Sequence, residues 1–184
     1  MNSMTSPIAV KTTGSLRASV RYAAAFEKSF EMLTDEERKF LLECAERQHF
    51  LDGETILEEG SSSEAIYILA EGEVRVERKG LTPGESVKPA EIARLGQGAV
   101  FGEMSFVDKA GASASVVADG AVDCLCIDSA TIHTCIQFDP TFGGRFYHSL
   151  AATLSRRLRV TRHPPGLGSG PPAERPGNVM EPLR

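Results

Sequence analysis

The chain has no long apolar run, no broad basic face, no paired cysteine spacing and no catalytic signature, and each absence closes off a class of function. No apolar stretch approaches the roughly 20 residues that cross a bilayer, so a membrane-spanning helix is not expected. Residues 1–13 carry neither an apolar h-region nor a small-residue cleavage site, which makes the cytoplasm the expected compartment. Twenty Lys and Arg against 25 Asp and Glu leave a net charge of −5, unlike the clustered cationic surface that phosphate backbones require. The one basic cluster, Arg156, Arg157, Arg159 and Arg162, reads as cations complementing a helix C-terminus. Cys44, Cys124, Cys126 and Cys135 lack C-x-x-C spacing, and Cys124 and Cys126, two apart in an apolar run, read as small buried hydrophobes. His49, His133, His148 and His163 are scattered without ligand spacing, and there is no G-x-S-x-G, H-E-x-x-H or P-loop lysine. Neither a metal site nor catalysis by this chain is expected.

What is present divides into five stretches. Residues 1–15 are Ser/Thr-rich and aperiodic, which predicts a flexible N-terminus. Residues 16–50 predict helices. Val20, Ala24, Phe26, Phe30 and Leu33 mark one buried stripe. Thr34 and Glu37 then form a capping box, ahead of an inward face of Phe40, Leu41 and Cys44 and an end at His49-Phe50. Residues 51–128 show short alternating runs bounded by glycine. "AIYIL" and "EVRVE" are expected to reverse at Glu71-Gly72, and "SVVA" and "DCLCI" near Asp119-Gly120. The polar segment "GLTPGESVKPAE" reads as a surface loop. Such spacing predicts a barrel or sandwich.

Residues 129–162 return to helix: a short one from Ser129 to Phe138, then a longer one after Asp139-Pro140. In the second, Phe142, Phe146, Leu150, Leu154 and Leu158 recur at i, i+4, with Tyr147 and Ala151 alongside. A barrel offers limited surface to a helix of about five turns, so part of this stripe is expected to meet its twin in a homodimer through residues 140–162. Residues 163–184, rich in Pro and Gly, predict a disordered tail.

Several local motifs stand in a telling order: Asp52-Gly53-Glu54, Gly60, Tyr67 followed by Gly72, Gly98, and Phe101-Gly102-Glu103. With the flanking helices, this order over residues 30–160 resembles the cyclic nucleotide-binding domain family. The resemblance implies an α+β, mainly β fold: a β-roll or jelly-roll barrel flanked by N-terminal helices and a long C-terminal helix. It makes residues 101–116 a phosphate-binding cassette, with a short helix whose amides face a cyclic phosphate. Phe101-Gly102-Glu103 opens it. Glu103 would accept the ribose 2′-hydroxyl, and Gly102, Met104 and Ser105 would offer backbone or small-side-chain contacts.

The cassette departs from the family at its far end. Where the resemblance calls for an arginine on the phosphate, this sequence has Ala112 and Ser113. Loss of a desolvated arginine–phosphate pair costs roughly 2–5 kcal/mol, so cAMP or cGMP would bind more weakly than in the usual site. Three readings stay open. The pocket takes a cyclic nucleotide through loop amides, Ser113 and Ser115, with Lys109 either a displaced cation or a solvated loop charge. It takes a less anionic or larger ligand whose hydroxyl Glu103 reads. Or it takes none, and the domain is a dimerising, partner-binding scaffold. For the first two, the resemblance implies that ligand would draw the loop inward and reorient the C-terminal helix, signalling to a downstream protein. No helix-turn-helix is expected after that helix, so direct DNA regulation is not anticipated.

Overall fold

Residues 65–78 and 115–128, rich in β-branched and other apolar side chains, each form a single fourteen-residue strand, β3 (Ala65–Arg78) and β6 (Ser115–Asp128). They pair antiparallel from Ala65 opposite Asp128 to Glu77 opposite Ser115. The reversals expected at Glu71-Gly72 and Asp119-Gly120 do not occur. Instead the register shifts around Glu71, and the two glycines, at φ +89° and +80°, lie within the strands. A left-handed glycine serves a bulge as well as a hairpin turn, and a local motif does not distinguish them. Gly72 is irreplaceable in its bulge: a Cβ there would stand 2.4 Å from the Ala121 carbonyl oxygen.

The computed structural model describes residues 16–62, 64–79 and 89–162. The flexible N-terminus expected at 1–15, the disordered tail expected at 163–184 and most of the "GLTPGESVKPAE" loop lie outside the described residues. Around the central pair, β1 (Glu46–Phe50) and β2 (Thr55–Leu57) add to β6, while β4 (Ala90–Leu95) and β5 (Val100–Phe101) add to β3. All pairings are antiparallel. β1 corrects the helix expected to run to Phe50: helix stops at Cys44, and Glu46 to Phe50 pair with Cys126 to Val122. The hydrogen-bonding edge of β6 outweighs the modest helix propensity of "ERQHF".

The pleat sends alternate side chains to two cores. Ile66, Ile68, Ala70, Leu125 and Ile127 face the helices, whereas Leu69, Val74, Val116, Ala118 and Cys124 face the inside of the roll. The class is thus α+β and mainly β, as expected. Five helices complete the described chain: α1 (Leu16–Ser29), α2 (Asp35–Cys44), α3 (Glu103–Asp108), α4 (Ser129–Phe138) and α5 (Pro140–Arg162).

The helical faces differ in detail from expectation. α1 buries Tyr22, Ala25, Phe26 and Ser29 and leaves Val20 and Ala24 exposed. The rotation places the Tyr22 ring under Arg47, 4.5 Å from its guanidinium, and brings Phe26 and Phe30 together. The capping box of α2 forms through Thr34 and Glu37, but of its expected inward face only Leu41 is buried, with Phe40 and Cys44 exposed. Cys124 is buried as expected and Cys126 partly so. α5 buries Phe142, Phe146 and Leu150, half-buries Leu154, and leaves Leu158 64% exposed. The stripe therefore splits: its first half belongs to the core and its second half does not.

Candidate functional site

Phe101 ends β5 beside Tyr67 of β3, their rings stacked 5.1 Å apart. The chain must then turn sharply from strand to helix, and Gly102 at φ +80° takes the left-handed conformation this requires. The turn delivers Glu103 into the first turn of α3, where it is 3% exposed. Its Oε1 accepts a hydrogen bond of 2.6 Å from Nη1 of Arg157 on α5, and Nη2 of the same guanidinium donates to the Val100 carbonyl. One arginine thus clasps both sides of the strand-to-helix turn. Burial pushes the Glu103 carboxyl pKa up, and Arg157 opposes this without overcoming it.

The other cassette residues fall into two groups. Met104 is exposed, and its Sδ accepts a weak hydrogen bond from Ser113 Oγ at 3.4 Å. Ser105 is buried, and its Oγ has no hydrogen-bond partner among the described residues. Ala112 is buried with its backbone fully engaged: its N–H donates to Ser61 at 2.9 Å and its carbonyl accepts from Gly60 at 2.8 Å. The smallness of this stretch has a local cause. A Cβ on Gly111 would fall 2.6 Å from the Gly60 carbonyl oxygen, so the 60–61 turn and the cassette meet backbone to backbone. Ser115 is occupied too, its Oγ accepting from the Glu59 N–H at 3.0 Å.

Lys109 is not brought to this site. It closes α3 in the left-handed region, φ +59°, and its ammonium Nζ stands over the Phe106 ring, 5.0 Å from the centroid. Its Nζ lies 3.0 Å from His133 Nε2 on α4. The lysine does not line the cassette cavity; it is exposed, beside α4.

Gly102, Glu103, Met104, Ser105, Ala112 and Ser113 do share one cavity, together with Arg157. Its open volume is about 80 Å³, well under the roughly 300 Å³ at which small-molecule pockets begin. A larger opening of about 590 Å³ lies elsewhere, by Tyr67 and Cys126. Glu46, Glu58, Glu64 and Asp128 line it, and four carboxylates repel a phosphate-bearing ligand; the smaller cavity, where the expected cassette residues meet, is the candidate site. Burial also raises the Tyr67 hydroxyl to about 12 and the Cys126 thiol to about 11, which keeps both protonated.

Arg157, which lines the cavity and pairs with Glu103, is the residue that sequence reasoning did not bring to this site. The expectation that Arg156 and Arg157 merely complement a helix end is corrected: Arg156 pairs with Glu31 at 2.9 Å, and Arg157 with Glu103. A signal was present, because Arg157 lies seven residues after Leu150 and three after Leu154, on the face that the apolar stripe marks as inward.

The "Cyclic nucleotide-binding domain" family matches residues 47–139. The cyclic AMP receptor protein of Thermus thermophilus is 35% identical over 130 residues, spanning 71% of this chain and 56% of that protein. The cAMP-dependent protein kinase regulatory subunit of Mycosarcoma maydis is 32% identical over 132 residues, 72% of this chain and 23% of that one. The chain therefore spans about half the length of the first of these relatives and less of the second. The crystal structure of the Thermus thermophilus catabolite activator protein superposes with a TM-score of 0.61 at 32% identity, covering 73% of this chain and 60% of that one.

Proposed function

Since the chain belongs to the cyclic nucleotide-binding domain family, we propose that it is a regulatory module which takes cAMP or cGMP beside Glu103 and reports it to a partner protein through α5. The observation that carries this reading is the Glu103–Arg157 contact. By resemblance Glu103 receives the ribose hydroxyl, and here it also holds the far part of α5. A ribose competing for that carboxylate changes what Arg157 binds, in the half of α5 that the core does not grip. A ligand shifts such an equilibrium only by its differential affinity for the two helix positions. The exposed Tyr147, Ala151 and Leu158, on one face of α5, suit a second copy of the chain in a homodimer.

The second reading, a ligand-independent interaction scaffold, draws on the cavity of about 80 Å³ and on Ala112. Titration calorimetry and thermal melting with cAMP and cGMP separate the two. The sensor reading expects heat of binding and a raised melting temperature, both strongly reduced in Glu103→Ala. No heat and no shift at millimolar ligand would leave the scaffold, and binding unchanged in Glu103→Ala would put the pocket elsewhere.

A further inference from the structure

We infer that Arg157 takes the place of the arginine missing from the cassette: it is the cation that pairs with the ligand's phosphate, and it parks on Glu103 until an anion recruits it. The inference rests on the cyclic-nucleotide reading above and names the residue that would make an anion acceptable there.

Three observations lead to it. First, among the described residues lining the cavity, Glu103 and Arg157 are the only charged ones. Their charges cancel, so a phosphate entering with that pair intact meets no net positive charge and is desolvated without compensation. Second, Ala112 has nothing left to offer, since its side chain is a methyl and both its backbone groups are bonded to the 60–61 turn. Lys109, the other cassette cation, is turned away onto Phe106 and His133. Third, the cavity retains unspent polar capacity. Ser105 is 95% buried, lines the cavity, and its hydroxyl has no partner among the described residues, while the exposed Ser113 hydroxyl donates to the Met104 thioether. A buried hydroxyl without a partner is costly, and a phosphate oxygen would relieve it.

The exchange is chemically consistent. A ribose hydroxyl donates to Glu103, as the guanidinium does now, so the sugar can replace one Arg157 contact while the phosphate draws the guanidinium toward Ser105 and Ser113. Guanidinium and phosphate match in a bidentate geometry that a lysine does not reproduce. Arg157 also fills space that the ligand needs, so its movement opens the cavity and displaces α5 in one step. Anion recognition and output would then reside in a single side chain.

The test compares each cyclic nucleotide with its own uncharged nucleoside, by titration calorimetry on the full chain and on Arg157→Gln and Arg157→Lys. The expected result is that wild type prefers cAMP over adenosine, or cGMP over guanosine. Arg157→Gln should lose at least about tenfold in affinity for the cyclic nucleotide while binding the nucleoside at least as well as wild type. Arg157→Lys should fall between, with a steeper salt dependence. Adding Ala112→Arg to Arg157→Gln should restore part of the preference, a rescue that a merely structural role would not give. Three results overturn the inference: cyclic nucleotide and nucleoside affinities that rise together in Arg157→Gln, as for a simple plug; affinities that fall together; or affinities that stay put. If wild type and Arg157→Gln both bind nothing at millimolar ligand, the cyclic-nucleotide reading itself fails. A thermal melt of each variant, with Arg157→Lys keeping charge and stem, ensures that a folded protein is compared.

Discussion

Of the arginine–glutamate pairs that α5 makes, two, twelve residues apart, behave oppositely. Near its start, Arg145 Nε lies 3.0 and 3.1 Å from the carboxylate oxygens of Glu37. Near its end, Arg157 holds Glu103 at 2.6 Å. Hydrogen bonding by Arg145 pulls the Glu37 carboxyl below its ordinary value, whereas burial lifts that of Glu103 despite its arginine. The difference is solvation. Glu37 retains contact with water while it caps α2, so its charge is stabilised on balance. Glu103 is taken out of water, and one partner does not repay that. The first pair fastens α5 to the helical layer; the second is the contact that, in the function proposed above, a ligand would dissolve.

The comparison breaks most severely if the fastened end is undercut. Phe146 is fully buried, with Phe30 5.3 Å and Phe106 5.8 Å from its ring centroid, so it ties α5 to the segment that follows α1 and to the cassette helix at once. Phe146→Ala is expected to cost about 3–5 kcal/mol in a denaturant melt. A loss below about 1 kcal/mol would mean that the apolar half of α5 is not its anchor. Glu37→Gln probes the same end more gently. It removes the carboxylate charge that Arg145 pairs with and weakens the capping box, and about 1 kcal/mol should be lost at pH 7. Because the folded Glu37 pKa is depressed, its contribution is present above the ordinary value of 4.5 and fades as pH falls through the lower folded value. The variant and wild type should converge in strong acid; a gap independent of pH would assign the loss to capping geometry rather than to charge.

Legibility followed the range of the interactions. The capping box at Thr34 and Glu37 was readable because its partners are three residues apart, and the cassette turn because Gly102 and Glu103 are adjacent. Long-range facts were not. β1 depends on an edge of β6 some 75 residues away, and the Gly72 bulge looks like a hairpin turn until Ala121 is placed beside it. Arg157 pairs across 54 residues, and a run of arginines near a helix end already had a sufficient local explanation. The three readings left open at Ala112 and Ser113 concern what the pocket binds, and Arg157, a cation 45 residues beyond Ala112 that lines it, is one that spacing within the cassette cannot reveal.

The smallest expected effect bears most directly on the second pair. With its folded pKa raised, Glu103 contributes stability that is fully present below 4.5 and is lost as pH rises through the raised value. At neutral pH the wild-type chain therefore carries a buried charge at a disadvantage, and Glu103→Gln, which keeps the shape and an acceptor for Arg157, should be as stable or more stable by roughly 1 kcal/mol or less. The gap should close as pH is lowered toward 4, the opposite trend to Glu37→Gln. Should Glu103→Gln prove clearly less stable at pH 7, Arg157 outweighs burial, and the two ends of α5 are fastened alike. If the expected sign is found, Glu103 weakens the fold it sits in, and a carboxylate buried at such cost is one whose use lies in what it binds.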